Sequence, residues 1–340
     1  MQSRRKINLF HVRGMLSRKL NVAVLQLNPR IGQVSANIER ANRILRNHGF
    51  LNETGQPNRR PLDLLILPEL AFTGYNFKSR DHITPYLEPT SSGVSSKWAM
   101  DISKSLNCHT LVGYPELCSK SNNIYNSAAM FSPSGKVLFN YRKSFLYSAD
   151  VDWGCSESPD GFQSYTPEFE SVALKGLKVQ VGICMDLNPY KFEAPFEKFE
   201  FANSALENDV SLILCPMAWL NSESPSLQTS DEAKQLKKKQ LEHEMDPLEP
   251  DVSTLNYWFV RMNPFIKSPP KRKIAFVTCN RSGWEDDILY AGSSQISVFD
   301  PALASKNYIS FYSTLGQLEE DLIYQEIDVE PQPGSDSPVS

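Results

Sequence analysis

Apolar residues return along the chain in two rhythms. Alternation with period two runs through residues 21–27 (NVAVLQL), and short apolar runs follow in 62–67, 109–114, 125–132 and 136–141. Alternation returns in 178–184 (KVQVGIC), and further apolar runs occupy 210–216, 273–279, 290–299 and 321–329. Short runs of this kind, rich in β-branched residues, predict strands. A helical rhythm appears in Ile38, Ala41, Ile44 and Leu45, closed by Gly49, and again in Val94, Trp98, Ile102 and Leu106. Residues 194–208 predict a third helix. Helices alternate with strands in the first half and β returns in pairs afterwards, which predicts a layered α/β sandwich instead of a simple doubly wound sheet.

Residues 21–329 read as one domain. Residues 221–256 stand apart as a charged insertion, with an exposed helix predicted over 231–245 and Lys237, Lys238 and Lys239 on its solvated face. Residues 330–340 are rich in Pro, Gly and Ser and predict a disordered tail.

Composition narrows the functional classes. The 340 residues suffice for a large core, and a net charge of −4 with mixed signs gives no reason to expect nucleic acid or a membrane surface as partner. No apolar run approaches the roughly 20 residues of a membrane span. The six cysteines and five histidines show neither C-x-x-C nor H-x-x-x-H spacing, so no metal is expected. Cysteines within apolar runs suit free thiols in a reducing compartment, and the cytoplasm is the default. The first 20 residues carry Arg4, Arg5, Lys6, Arg13, Arg18 and Lys19 and no acid. They read as a targeting leader, with Met15 a second start and mitochondria or nucleus a further destination, or equally as a solvated basic tail.

Three strand ends carry chemistry. Glu69 follows Pro68, Lys143 follows the strand at 136–141, and Cys184 closes the strand at 178–184. Each alone reads more simply: a buried small cysteine, a solvated charge. On one rim they make a set for acyl transfer, with a thiol nucleophile, a carboxylate to take its proton and an ammonium to hold an oxyanion.

Leu67-Pro68-Glu69-Leu70, Tyr141-Arg142-Lys143 and Gly182-Ile183-Cys184-Met185-Asp186 resemble the Glu-Lys-Cys signature of the nitrilase (carbon–nitrogen hydrolase) superfamily. Cys279-Asn280-Arg281-Ser282-Gly283 and Gly292-Ser293-Ser294 resemble its later segments, with Ala291 where an aromatic residue is more usual. Residues 71–77, 185–196 and 215–220 resemble the fungal N-terminal amidase branch.

The resemblance implies a four-layer αββα sandwich and a cofactor-free amidohydrolase. It would convert N-terminal Asn or Gln of polypeptides to Asp or Glu for the Arg/N-degron pathway, as a monomer or homodimer. Glu69, Lys143 and Cys184 would be catalytic, with the Met185 N–H at the oxyanion. Glu157 is the candidate for the extra polar residue that supports the lysine, or else a solvated loop acid. Tyr75, Asn76 and Trp219 are candidates for substrate contact. Asp186 and Glu285 are candidates for the substrate amine, although Asp186 also reads as a local backbone partner. The alternatives are an amidase of the same superfamily acting on a small free amide or N-carbamoyl compound, and a non-catalytic binding protein of this fold.

Overall fold

The computed structural model describes residues 17–268 and 270–332. Its strands, in chain order, are β1 (Arg18–Leu25), β2 (Leu64–Ile66), β3 (Glu88–Pro89), β4 (His109–Leu117), β5 (Ile124–Phe131), β6 (Val137–Arg142), β7 (Ser164–Tyr165) and β8 (Val179–Val181). They continue with β9 (Leu212–Met217), β10 (Ile274–Asn280), β11 (Trp284–Glu285), β12 (Ile288–Leu289), β13 (Gln295–Phe299), β14 (Ile309–Thr314) and β15 (Leu322–Val329).

Two sheets form. The first has the order β15-β1-β2-β4-β5-β6, with β3 beside β4; the second has the order β14-β13-β10-β9-β8-β7. In the first, β1, β2 and β4 are parallel, and two antiparallel steps through β5 bring β6 back to the direction of β4. The carboxyl ends of β2 and β6 therefore point to the same rim, which is where Glu69 and Lys143 follow. In the second sheet β8, β9 and β10 are parallel, and Cys184 follows β8.

The period-two pattern explains the layering. On β1, Val22 and Val24 face the second sheet with Leu64, Ile66, Val179 and Leu214, while Ala23 and Leu25 face outward with Leu65 and Val112. The outward side is covered by helices Val34–Asn47, through Ala41, Ile44 and Leu45, and Val94–Leu106, through Trp98 and Ile102. Helices Glu200–Glu207, Val252–Arg261 and Asn263–Lys267 bring Phe201, Ala205, Trp258 and Phe265 into the core on the second sheet's side. The result is the expected αββα sandwich.

Several boundaries differ from expectation. The helix expected over 194–208 begins only at Glu200, because Pro195 and left-handed Phe199 interrupt the chain before it. Helix Asp231–Glu244 forms as expected, but helix Val252–Arg261 crosses the expected end of the insertion at 256. Its Trp258 is fully buried and its Arg261 donates to the Leu187 carbonyl at 2.7 Å, so this stretch belongs to the sandwich. Only residues 295–299 of the expected strand 290–299 pair with β10, and β14 was not foreseen because its half-buried ISFYST pattern is weakly apolar.

Arg18, Lys19 and Leu20, expected in the leader, belong to β1 and pair with Val329, Asp328 and Ile327. Residues 1–16 of that leader and 333–340 of the expected tail lie outside the described residues. Among the described residues no helix is long and apolar enough to cross a membrane, and no cluster of three metal-ligating side chains occurs.

Candidate active site

Local packing places the strand ends that carry Glu69 and Cys184. Beyond β2, Pro68 ends the pairing and Leu70 turns into the left-handed region (φ 45°). This turn lies on Gly113 of β4, where a Cβ would sit 2.5 Å from the Pro68 carbonyl oxygen and 2.8 Å from Glu69 Cα. Only glycine lets Glu69 sit this low. Beyond β8, a Cβ on Gly182 would meet the Phe201 ring at 2.5 Å. Cys184 then opens a 3-10 turn with φ 46°, an unfavourable conformation for a residue with a side chain. Asp186 secures this turn by accepting from the Ile183 N–H at 2.7 Å.

Behind the thiol is a dry charge cluster. Lys143 Nζ donates to Glu69 Oε1 and to Asp150 Oδ2, both at 2.7 Å, and all three side chains are fully buried. Asn126 Nδ2 donates to Glu69 Oε1 at 2.6 Å and to Asp150 Oδ1 at 3.0 Å. Asp150 also accepts from the Tyr147 N–H at 2.9 Å and from the Tyr75 hydroxyl at 3.1 Å. The Ala218 N–H donates to Glu69 Oε2 at 2.7 Å. Removing one member would leave uncompensated buried charge.

The protonation states follow from this enclosure. Burial raises the Glu69 carboxyl, Lys143 opposes the rise and Asp150 adds to it. For Lys143, burial lowers the ammonium's pKa, but the charges of Asp150 and Glu69 outweigh it and hold the group well above its ordinary range. Burial and then the Glu69 charge push the Cys184 thiol up, against Lys143 and an Ala218 N–H. The resting thiol is protonated at neutral pH and needs a base to attack.

Cys184 is 8 % exposed and opens on a cavity of about 460 Å³. Met185, Asn188 and Trp219 line it, together with Tyr147, Thr254 and Tyr257. Trp219 is held from β10, where Asn280 Oδ1 accepts its N–H at 2.7 Å. Asn188 Oδ1 accepts from the Tyr257 hydroxyl at 2.8 Å.

Sequence expectations divide on this geometry. Glu69, Lys143 and Cys184 are brought together, and Met185 and Trp219 line the cavity. Glu157 does not reach Lys143; it is exposed and accepts from the Tyr190 hydroxyl at 3.0 Å, while Asp150 fills the expected position. Tyr75 is buried behind the cavity against Asp150 and reaches no open space.

The Asn76 side chain donates to Asp286 at 3.4 Å, and its N–H donates to Glu285 at 2.8 Å. Glu285 also accepts from Arg281 at 2.9 Å and the Tyr290 hydroxyl at 2.8 Å, so it anchors the 74–76 loop away from the cavity. Asp186 is consumed by four donors: Ile183 and Tyr141 at 2.7 Å, Phe145 at 2.8 Å and Ser144 at 3.0 Å. Neither acid is free for a substrate amine.

Asp150, Asn126, Asn188 and Tyr257 were missed. Asp150 left one signal, a carboxylate three residues after Tyr147 at a helix start, where it accepts the Tyr147 N–H.

The carbon–nitrogen hydrolase family profile matches residues 21–188. The protein N-terminal amidase of Saccharomyces cerevisiae is 37 % identical over 297 residues, covering 73 % of this chain and 64 % of that relative. The protein N-terminal amidase of Schizosaccharomyces pombe is 32 % identical over 287 residues, covering 80 % and 88 %. A crystal structure of an N-terminal amidase with a Gln-Val peptide superposes with a TM-score of 0.81 at 29 % identity, covering 92 % of this chain and 99 % of that one. Another, with an Asn-Glu-Ala peptide, gives 0.80 at the same identity and coverage. With the sandwich and the buried Glu69–Lys143 pair behind Cys184, these matches show that the chain belongs to the carbon–nitrogen hydrolase family, among relatives that are protein N-terminal amidases.

Proposed function

We propose that this protein is a cysteine amidohydrolase that converts N-terminal Asn and Gln of polypeptides to Asp and Glu with release of ammonia. The observation that carries the reading is the Cys184 thiol at an open cavity, backed by the buried Glu69–Lys143–Asp150 cluster. The kinship with N-terminal amidases, together with crystal structures of N-terminal amidase with Gln-Val and Asn-Glu-Ala peptides, supports the substrate class.

The residues divide the work. Glu69 takes the Cys184 proton as sulfur attacks the side-chain amide carbon and forms a C–S bond. An ammonium has three N–H donors, and two of Lys143's are held by Glu69 and Asp150; the third, with the Met185 N–H, meets the oxyanion. Collapse breaks the C–N bond, and the proton on Glu69 passes to the leaving nitrogen, which departs as ammonia. Glu69 next takes a proton from water as its oxygen attacks the thioester. The C–S bond breaks and the proton returns to Cys184.

The free amine of the substrate needs acceptors, and no side-chain carboxylate lines the cavity among the described residues. Asn188 Oδ1 retains a lone pair beyond its bond to Tyr257, and the faces of Trp219 and Tyr257 attract a cation. These groups are the proposed amine site. All six cysteines are free, which supports placement in a reducing compartment such as the cytoplasm.

The test is mass spectrometry of peptides that begin Asn-Val-Lys or Gln-Val-Lys, with Cys184→Ser as control. A gain of about one dalton with the wild type alone is expected for amide-to-acid conversion. Ammonia from free Asn or Gln and none from the peptides would favour a small-amide enzyme instead.

A further inference from the structure

Beside the thiol cavity lies a second, larger one of about 780 Å³, and Tyr147, Met185 and Phe192 line both. The two spaces are one trough with a lip at these three residues. Lys191 and Phe192 are consecutive residues with φ of 56° and 57°, a conformation side-chain-bearing residues avoid unless the surroundings impose it. The turn they make leaves the Phe192 ring 58 % exposed on the lip, edge-on to Tyr147 with centroids 6.4 Å apart. Val151, 61 % exposed, lines the second space, as do Glu157 and Tyr190, whose hydroxyl donates to the Glu157 carboxylate at 3.0 Å. Exposed apolar side chains lining a recess that continues from a reactive centre fit a ligand longer than one residue.

We infer that the trough between Phe192 and Val151 is a subsite for the second and third residues of the polypeptide substrate, and that it favours apolar side chains there. The inference rests on the N-terminal amidase reading. An extended chain advances about 3.3 Å per residue, so a substrate whose first side chain reaches Cys184 passes the Met185–Phe192 lip within its next residue. Glu157, exposed on the lining of the second space, is available there to a backbone N–H or a cationic side chain of the substrate. Ser222 and Ser253 line the thiol cavity and not the second space, so a chain leaving past them would not meet Val151.

The experiment compares ammonia release from Asn-Gly, Asn-Gly-Gly-Gly and Asn-Leu-Leu-Gly in the wild type, Val151→Asp and Val151→Ser. Partial burial of one leucine corresponds to about a ten-fold change. The expected result is a preference of about that size for Asn-Leu-Leu-Gly over Asn-Gly-Gly-Gly, expressed in KM with kcat unchanged, and lost in both variants. Equal kcat/KM for the two tetrapeptides in the wild type, or a preference that survives both substitutions, would overturn the subsite while turnover of Asn-Gly leaves the amidase reading standing. Absence of ammonia from all three peptides would remove the amidase reading and the subsite with it.

Discussion

A 2.7 Å hydrogen bond from the Tyr141 hydroxyl to Asp186 Oδ2 ties the two sheets together at the reactive rim. Tyr141 lies two residues before Lys143 and Asp186 two residues after Cys184. The same carboxylate holds the Ile183, Ser144 and Phe145 N–H groups, so it sets the placement of the nucleophile turn relative to the lysine. Asp186→Asn replaces one acceptor oxygen with a donor facing donors. The expected cost is about 2–4 kcal/mol of stability, with kcat falling more than KM rises. Chemical denaturation and steady-state kinetics on one preparation measure both.

Burial raises the Asp186 carboxyl from 3.8 to about 6, against the N–H donors of Ile183 and Phe145 and the Tyr141 hydroxyl. The folded state therefore binds more protons than the unfolded chain between those values. This contribution to stability is fully present below pH 3.8 and is lost as pH rises to about 6. Midpoints of denaturation between pH 4 and 7 should carry this downward term in the wild type and lack it in Asp186→Asn. Parallel curves for the two proteins would contradict the assignment.

Lys143→Met leaves Glu69 and Asp150 facing each other in a dry site. Loss of an oxyanion donor lowers kcat by on the order of 10²–10³, and the stranded charge destabilises the fold by about 3–5 kcal/mol. Stability should recover at low pH, where the carboxylates take up protons, and activity should not. Activity near the wild-type level would exclude Lys143 from the reaction.

Burial raises the Cys184 thiol most, the Glu69 charge adds to the rise and Lys143 opposes it. Glu69→Gln removes the opposing charge and the base together. Alkylation of Cys184 by iodoacetamide at neutral pH should speed up while amide turnover falls. Loss of both rates in parallel would mean that Glu69 also serves as the base for the alkylation.

Gly113→Ala places a Cβ against the Pro68 carbonyl and Glu69 Cα, both backbone atoms that cannot swing aside. The expected destabilisation is about 1–3 kcal/mol, with kcat reduced because Glu69 is displaced from Lys143. Denaturant midpoints and kcat report the two effects separately.

What the sequence determined by itself follows from periodicity. The apolar patterns of Leu64–Ile66, Val137–Arg142 and Val179–Val181 are local properties, and they located the strands and hence Glu69, Lys143 and Cys184 just beyond their ends. Helix Val252–Arg261 was less legible, since its buried Trp258 and Arg261 are explained by Leu187 and the second sheet, far away in the chain.

Which acid supports Lys143 was decided only by tertiary structure. Asp150 and Glu157 are both carboxylates in the stretch that follows Lys143 in sequence. Asp150 is turned inward by Tyr147, Asn126 and Tyr75, from three separate segments, whereas Glu157 faces Tyr190 in solvent. The cavity likewise draws on residues from 147 to 257. A repeating pattern records which face of an element is buried; it carries no record of which distant donors will converge on one carboxylate, and that convergence is what makes the buried charge tolerable.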